Sequence, residues 1–216
     1  MLITPPERSA ERDAAIDAIL AHVPFDGWTL RALHLALAEV GLHPDDAALL
    51  FPGGAGDLVE AFCDLADRRM VLDVAAMEAP PARLGAGVSA AIALRLARNR
   101  AHKEAVRRAV SVLALPQNAR IAVVCGARTV DAIWQAAGDE SADFSWYTKR
   151  VSLAAIYGAT VLFWLRDTSP KEADTLAFLN RRLADLGRIG ALRRGAEALL
   201  ARFTPAALRP VPPAGP

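Results

Sequence analysis

The chain has 216 residues, 53% of them hydrophobic and 23% charged, and a positive mean hydropathy of +0.22, which excludes a disordered chain and allows a substantial core. Ala (46) and Leu (28) dominate while aromatics make up 6%, so a helical protein is expected and a sheet-rich one is not. Charge is nearly balanced at +1, and the longest uncharged stretch, Val151 to Leu165, is shorter than the roughly 20 apolar residues that cross a bilayer.

Taken in chain order, Pro5 and Pro6 precede a helix with Ile16, Ile19, Leu20 and Val23 on one face, expected to stop at Pro24. Thr29 is placed to cap a second helix that runs through Val40 to Gly41. Pro44, Asp45 and Asp46 start a short third helix closed by Pro52, Gly53 and Gly54. Three short helices with a tight turn before the third make a helix-turn-helix head over residues 1–54. A longer helix to about Met77 then carries Leu58, Phe62, Leu65 and Leu72 on one face and breaks at Pro80 and Pro81. Further helices are expected near 82–100, 102–114, 118–137, 143–166, 170–187 and 189–203, with Asp143 and Ser169 as N-caps. The stretch 151–165 is apolar all round and is therefore expected at the centre of a bundle spanning 55–187. The Pro- and Ala-rich tail, 204–216, is expected to be disordered.

Charge argues against nucleic acid. From Pro24 to Leu50, Arg31 stands against Asp26, Glu39, Asp45 and Asp46, a net charge of minus three where phosphate binding needs cations. Metal and catalytic motifs are also missing: no Glu is followed by a His three positions on, and there is no HExxH, P-loop or GxSxG. Gly85 to Ala90 matches a loose dinucleotide pattern but follows no strand. No cofactor or metal is expected, and an enzyme acting alone is not indicated. Cys63 and Cys125 have no ligand spacing and read as reduced core residues. The run Arg83, Arg95, Arg98, Arg100, Lys103, Arg107 and Arg108 reads as a solvated basic face. From Leu186 to Phe203, apolar residues at helical spacing alternate with Arg188, Arg193, Arg194 and Arg202, the pattern of a basic amphipathic helix that lies on a membrane. The adjacent Trp146 and Tyr147 point about 100° apart on a helix, so one of them is expected on the surface, where an aromatic beside Arg150 suits a protein partner.

Several blocks together carry a family resemblance: Gly27-Trp28-Thr29, Leu113 to Asn118, Ala136 to Asp139, Asp143 to Arg150, Leu153 to Tyr157, and Asp167 to Pro170 with Asp174-Thr175. Over residues 15–186 the chain resembles the ubiquinone (coenzyme Q) biosynthesis accessory proteins of TetR-repressor-like fold, ninth in the coenzyme Q series. The resemblance implies an all-α TetR-like bundle with a degenerate helix-turn-helix head and a C-terminal amphipathic helix. It further implies a homodimer, without enzymatic activity, that holds an isoprenoid quinone intermediate or a phospholipid and presents it to the di-iron demethoxyubiquinone hydroxylase. Asp143, Trp146, Tyr147 and Arg150 match the family's partner patch. Val112, Leu115, Val124, Ile133, Leu153 and Tyr157 are expected to line the lipid cavity, and Leu192, Arg193, Arg194, Leu199, Leu200 and Phe203 (within 188–203) to meet the membrane. A start without an apolar leader suggests a bacterial member, cytoplasmic and peripheral to the inner membrane. The alternative reading is a TetR-type ligand-responsive repressor.

Overall fold

The structure, a computed structural model, describes residues 5–138 and 145–186, with the backbone alone over 145–148. Among these residues there is no strand, and the chain forms an all-α bundle. The first helix, α1 (Ala10–Asp26), opens where the Ser9 side chain accepts a hydrogen bond from the Arg12 N–H at 3.1 Å, and buries Ala15, Ile16, Ile19 and Val23. It does not stop at Pro24 but continues to Asp26. Its last turn is closed by the Gly27 N–H on the Val23 carbonyl at 2.9 Å, and a guanidinium N–H of Arg108 donates to the Pro24 carbonyl at 2.9 Å. A proline so near the end removes one donor, and these outside donors serve the exposed carbonyls.

Helix α2 (Leu30–Glu39) is capped by Thr29, which accepts from the Ala32 N–H at 3.3 Å, and ends before Gly41, whose φ of +74° suits glycine. A 3-10 turn, Pro44–Asp46, leads into α3 (Ala47–Leu50), a single turn whose Leu49 is exposed. Helix α4 (Gly54–Ala75) is the spine of the molecule, packed against α1 and, further on, against α5 (Leu84–Arg98), α6 (Lys103–Leu113) and α7 (Ala119–Ala136). Helix α8 (Ser145–Trp164) and α9 (residues 173–186) complete the described chain, joined through the 3-10 turn Pro170–Glu172. Ser169 precedes this turn without a side-chain cap bond to it; its hydroxyl accepts instead from the Asp174 N–H at 3.1 Å, in the first turn of α9.

Two cores result. One joins α1, α2 and α3 to the first half of α4 and to Ala105 and Ala109 of α6, with Trp28 donating to the Ala105 carbonyl at 3.1 Å, so the head shares its core with the body. The other gathers Met70, Ile92, Ile133, Leu153, Trp164 and Leu179 from α4, α5, α7, α8 and α9. Each such fully buried aliphatic side chain stabilises the fold by about 1.5–3 kcal/mol.

Three expectations need correction. Helix α8 is not central: Leu153, Thr160 and Trp164 are buried, while Val151, Ala155, Gly158, Ala159 and Leu162 face outward. Among the described residues, neighbours cover only one side of this helix although its composition is apolar all round. Leu72 lies on the stripe of Leu58, Phe62 and Leu65 but is 68% exposed, because none of the described residues covers the groove beside it. The basic run is a solvated face except at Arg95, its one buried member. Arg95 is buried on Asp67, Arg98 pairs with Asp73 and Arg100 with Glu172, while Lys103, Arg107 and Arg108 donate to the carbonyls of Asp167, Leu165 and Pro24. The Pro24 carbonyl lies in the last turn of α1 and that of Leu165 directly follows α8, where the helix dipole attracts cations. The helix expected over 189–203, the tail from 204, and Asp143 as an N-cap lie outside the described residues.

Candidate functional site

A groove of about 1180 Å³ opens between α4 and α7, bounded by the first turns of α8 and by Pro5 and Arg8 ahead of α1. Its depth follows from small residues on α7. Ala122, Gly126 and Ala127 line it, and a Cβ placed on Gly126 would meet nothing within 4 Å. Val71 and Val130 add apolar wall, and three apolar side chains stand around it in solvent: Leu72, Val123 and Val151, the last two each 71% exposed.

Four arginines also line the groove, and each meets a carboxylate. Arg8 pairs with Asp64 at 2.6 Å, Arg68 with Asp13 at 2.6 Å and Asp64 at 2.9 Å, Arg128 with Glu60 at 2.7 Å, and Arg150 with Asp131. The polar lining is thus internally neutralised. Such a groove selects by shape and apolarity, and suits a neutral amphiphile better than an anion.

Burial pushes the Asp64 carboxyl up, but hydrogen bonds from Arg8 and Arg68 outweigh it and hold the group below its ordinary value. A depressed folded-state value contributes stability that is complete above the unfolded value of 3.8 and is lost as pH falls through the folded one. Asp64→Asn is therefore expected to cost stability at neutral pH and to cost less at about pH 3, as read from urea midpoints at both values. An equal loss at both would show that the ion pairs do not govern this part of the acid response.

Behind the groove lies a buried polar cluster. Asp67, which also lines the groove, accepts from Arg95 Nε at 2.8 Å and from the Thr129 hydroxyl at 2.8 Å. Arg95, 7% exposed, also reaches the Cys63 carbonyl at 3.5 Å and lies 5.5 Å from the centre of the Tyr157 ring. Burial pushes the Asp67 carboxyl up against the pull of Arg95 and Thr129, and pushes the Tyr157 phenol up to about 12. Both cysteines are free, Cys125 buried and Cys63 partly buried against the first core. No His, Cys, Asp and Glu grouping among the described residues could hold a metal ion.

The expected site residues are dispersed. Ile133 and Leu153 are fully buried in the second core, with Tyr157 packed against it; Val112 packs on the first core; Leu115 is 43% exposed in the turn after α6; Val124 is partly buried on α7. None of the six lines the groove. Sequence reasoning missed Val71, Leu72, Val123, Ala127, Val130 and Val151, and the signal available was the pair of small residues Ala122 and Gly126, four apart on one helical face. Of the partner residues, Arg150 lines the groove. Trp146 and Tyr147 lie on the first turn of α8 with side chains outside the described residues, as are Asp143 and all of Leu192, Arg193, Arg194, Leu199, Leu200 and Phe203. No single helix among the described residues is long and apolar enough to cross a membrane.

The helix order and the groove define a TetR-like all-α protein. A solved TetR transcriptional regulator from Nitrosomonas europaea ATCC 19718 superposes with a TM-score of 0.63 at 23% identity, covering 82% of this chain and 97% of that one, a likeness of fold. The chain belongs to the COQ9 family. The COQ9 family model matches residues 119–190. The ubiquinone biosynthesis protein coq9, mitochondrial, of Schizosaccharomyces pombe is 31% identical over 86% of this chain and 73% of its own length. The COQ9 proteins of Rattus norvegicus and Homo sapiens, also named as mitochondrial ubiquinone biosynthesis proteins, are each 34% identical over 81% of this chain. The chain spans 58% and 57% of those two relatives' lengths.

Proposed function

We propose that this protein serves ubiquinone biosynthesis without catalysing a reaction itself. It binds an isoprenoid quinone intermediate and presents it to the demethoxyubiquinone hydroxylase at a membrane surface. The observation that carries this reading is the groove of about 1180 Å³, apolar along α4 and α7 and internally neutralised in charge, in a chain of the COQ9 family. A polyprenyl tail taken out of a bilayer loses about 0.8 kcal/mol for each methylene left in water, so a carrier needs such a lining. The lining residues proposed on this structure are those of the groove, in place of the six apolar positions named from sequence.

Two features support the handover. Arg150 both matches the family's partner patch and lines the groove, so the turn bearing Trp146 and Tyr147 adjoins the ligand's exit. The outward stripe of α8, Val151, Ala155, Gly158 and Leu162, is small and apolar and suits the second copy of a homodimer. The basic amphipathic pattern from Leu186 to Phe203 supplies the membrane contact.

Mass spectrometry of the lipid extracted from purified protein tests the ligand: an isoprenoid quinone species is expected, and phospholipid alone or no lipid refutes it. Removing residues 187–216 is expected to abolish co-sedimentation with anionic liposomes while leaving the helical circular dichroism, and retained binding removes the membrane role of that segment. Trp146→Ala is expected to weaken hydroxylase capture at least tenfold, about 1.4 kcal/mol or more, and unchanged capture removes the patch.

A further inference from the structure

Along α4 the groove is lined by Asp64, Asp67, Arg68, Val71 and Leu72, one face of the helix at three- and four-residue spacing. Asp67 stands one turn before Val71, where the polar part of that face gives way to the apolar part. Its side chain is 8% exposed, and two donors reach it: Arg95 Nε on Oδ1 and the Thr129 hydroxyl on Oδ2, both at 2.8 Å. Both donors stand behind Asp67, and neither lines the groove. A carboxylate has about four acceptor positions, so about two remain open, and the groove is the space from which a ligand reaches them. The other carboxylates of the wall are less suited. Asp64 already accepts three hydrogen bonds from Arg8 and Arg68, and Asp131, paired with Arg150, is 49% exposed to water. The guanidiniums of the wall are likewise paired with carboxylates. A ligand that brings a hydroxyl therefore finds an acceptor inside the groove. One that brings only carbonyl oxygens meets that acceptor lone pair to lone pair.

We infer that Asp67 is the headgroup acceptor of the groove, and that the groove holds its isoprenoid ligand as the hydroquinone in preference to the quinone. The inference rests on the reading that an isoprenoid quinone intermediate occupies this groove. The Arg95 guanidinium, always charged, holds the Asp67 carboxylate ionised, so this group accepts hydrogen bonds and donates none. A phenolic hydroxyl of the reduced ring donates to it, and the bond is strengthened by the carboxylate's charge. The oxidised ring has no proton to give, and binding it leaves a buried carboxylate stripped of water with its open positions unfilled. A site built around a hydroxyl rejects the analogue that lacks it far more strongly than an apolar wall rejects by shape. Val71 and Leu72, next along the same face of α4, take the start of the prenyl chain. No electron or proton is transferred, and the reduced form is selected by binding alone.

The test is equilibrium dialysis of the full chain, without oxygen, against a geranyl-substituted methoxyhydroquinone, the matching quinone and the dimethyl ether of the hydroquinone. The ether keeps the reduced ring but has no hydroxyl, so it separates hydrogen-bond donation from redox state. The hydroquinone is expected to bind about tenfold or more tightly than either of the others. Equal binding of all three overturns the role of Asp67 and leaves the groove standing as an isoprenoid site. Binding of none overturns both. Asp67→Leu with Arg95→Met removes the acceptor without leaving a buried charge, and the preference should vanish while the quinone is still bound. A preference retained in that variant overturns the assignment to Asp67. Thr129→Val keeps the ion pair and serves if the double variant folds poorly. With one donor fewer the carboxylate is a stronger acceptor, so hydroquinone binding should tighten about twofold or more and quinone binding should not move. Unchanged or weaker hydroquinone binding in Thr129→Val would show that the hydroxyl does not meet Asp67.

Discussion

Asp67→Ala is expected to lower the unfolding free energy by about 3–5 kcal/mol, which urea denaturation followed by circular dichroism would register as a large fall in midpoint. The carboxylate accepts from Arg95 and Thr129, and its removal leaves a guanidinium that is 7% exposed without its counter-ion. Among the described residues Arg95 has no other carboxylate partner, and a charge cannot be returned to water without opening the packing of α4 against α5. The reverse change, Arg95→Met, should cost less. Burial already raises the Asp67 carboxyl, so it can take a proton and keep its bond to Thr129 as a neutral group. Asp67→Leu combined with Arg95→Met should recover much of the loss, since an apolar pair of similar volume has no desolvation cost. By comparison the exposed pairs Arg69 with Asp17 and Arg98 with Asp73 should each contribute only about 0–1 kcal/mol. A cost for Asp67→Ala in that same surface range would mean that the cluster is solvated in solution.

The elements were legible in the sequence where their signals are local. Thr29, Gly41, Pro44 and Ser169 mark helix ends through their own backbones and side chains, and they stand at or within a residue or two of the observed ends. What failed to show was pairing over distance. Arg95 meets Asp67 from 28 positions away and Arg100 meets Glu172 from 72, so a run of cations with one neighbouring acid looks unpaired when its acids lie on other helices. Helix α8 shows a different limit: composition reports that a face is apolar, and it is silent on whether the same chain covers it. The groove was hidden for that reason too, because Leu72 continues the stripe of Leu58 and Leu65 and differs only in having no covering helix among the described residues. The six positions assigned from sequence to the lipid were chosen for being apolar, and the most apolar positions of a bundle, such as Ile133 and Leu153, are those already filled by core packing.

Gly126→Leu separates ligand binding from stability. Gly126 lies inside α7 with helical neighbours, and a side chain there points into open groove, where the first added carbon meets nothing within 4 Å. Replacing a mid-helix glycine by leucine favours the helix by up to about 1 kcal/mol, so the thermal midpoint should hold or rise. The same isobutyl group occupies the floor between Val71 and Val123, and the lipid recovered with the purified protein should fall at least tenfold, equivalent to about 1.4 kcal/mol. Gly87→Leu is the matched control. A Cβ on Gly87 would lie 3.2 Å from the Ala137 Cβ and 3.3 Å from its Cα, so α5 would be pushed off the end of α7, and overpacking of this kind costs about 1–3 kcal/mol. One substitution thus removes ligand and spares the fold, and the other weakens the fold away from the groove. If Gly126→Leu retains the wild-type amount of lipid, the groove is not where the isoprenoid lies, and the ligand must enter by parting helices that are closed in this structure. If it loses both lipid and stability, the groove floor is less open than the spacing around Gly126 indicates, and the loss of ligand follows from the loss of fold.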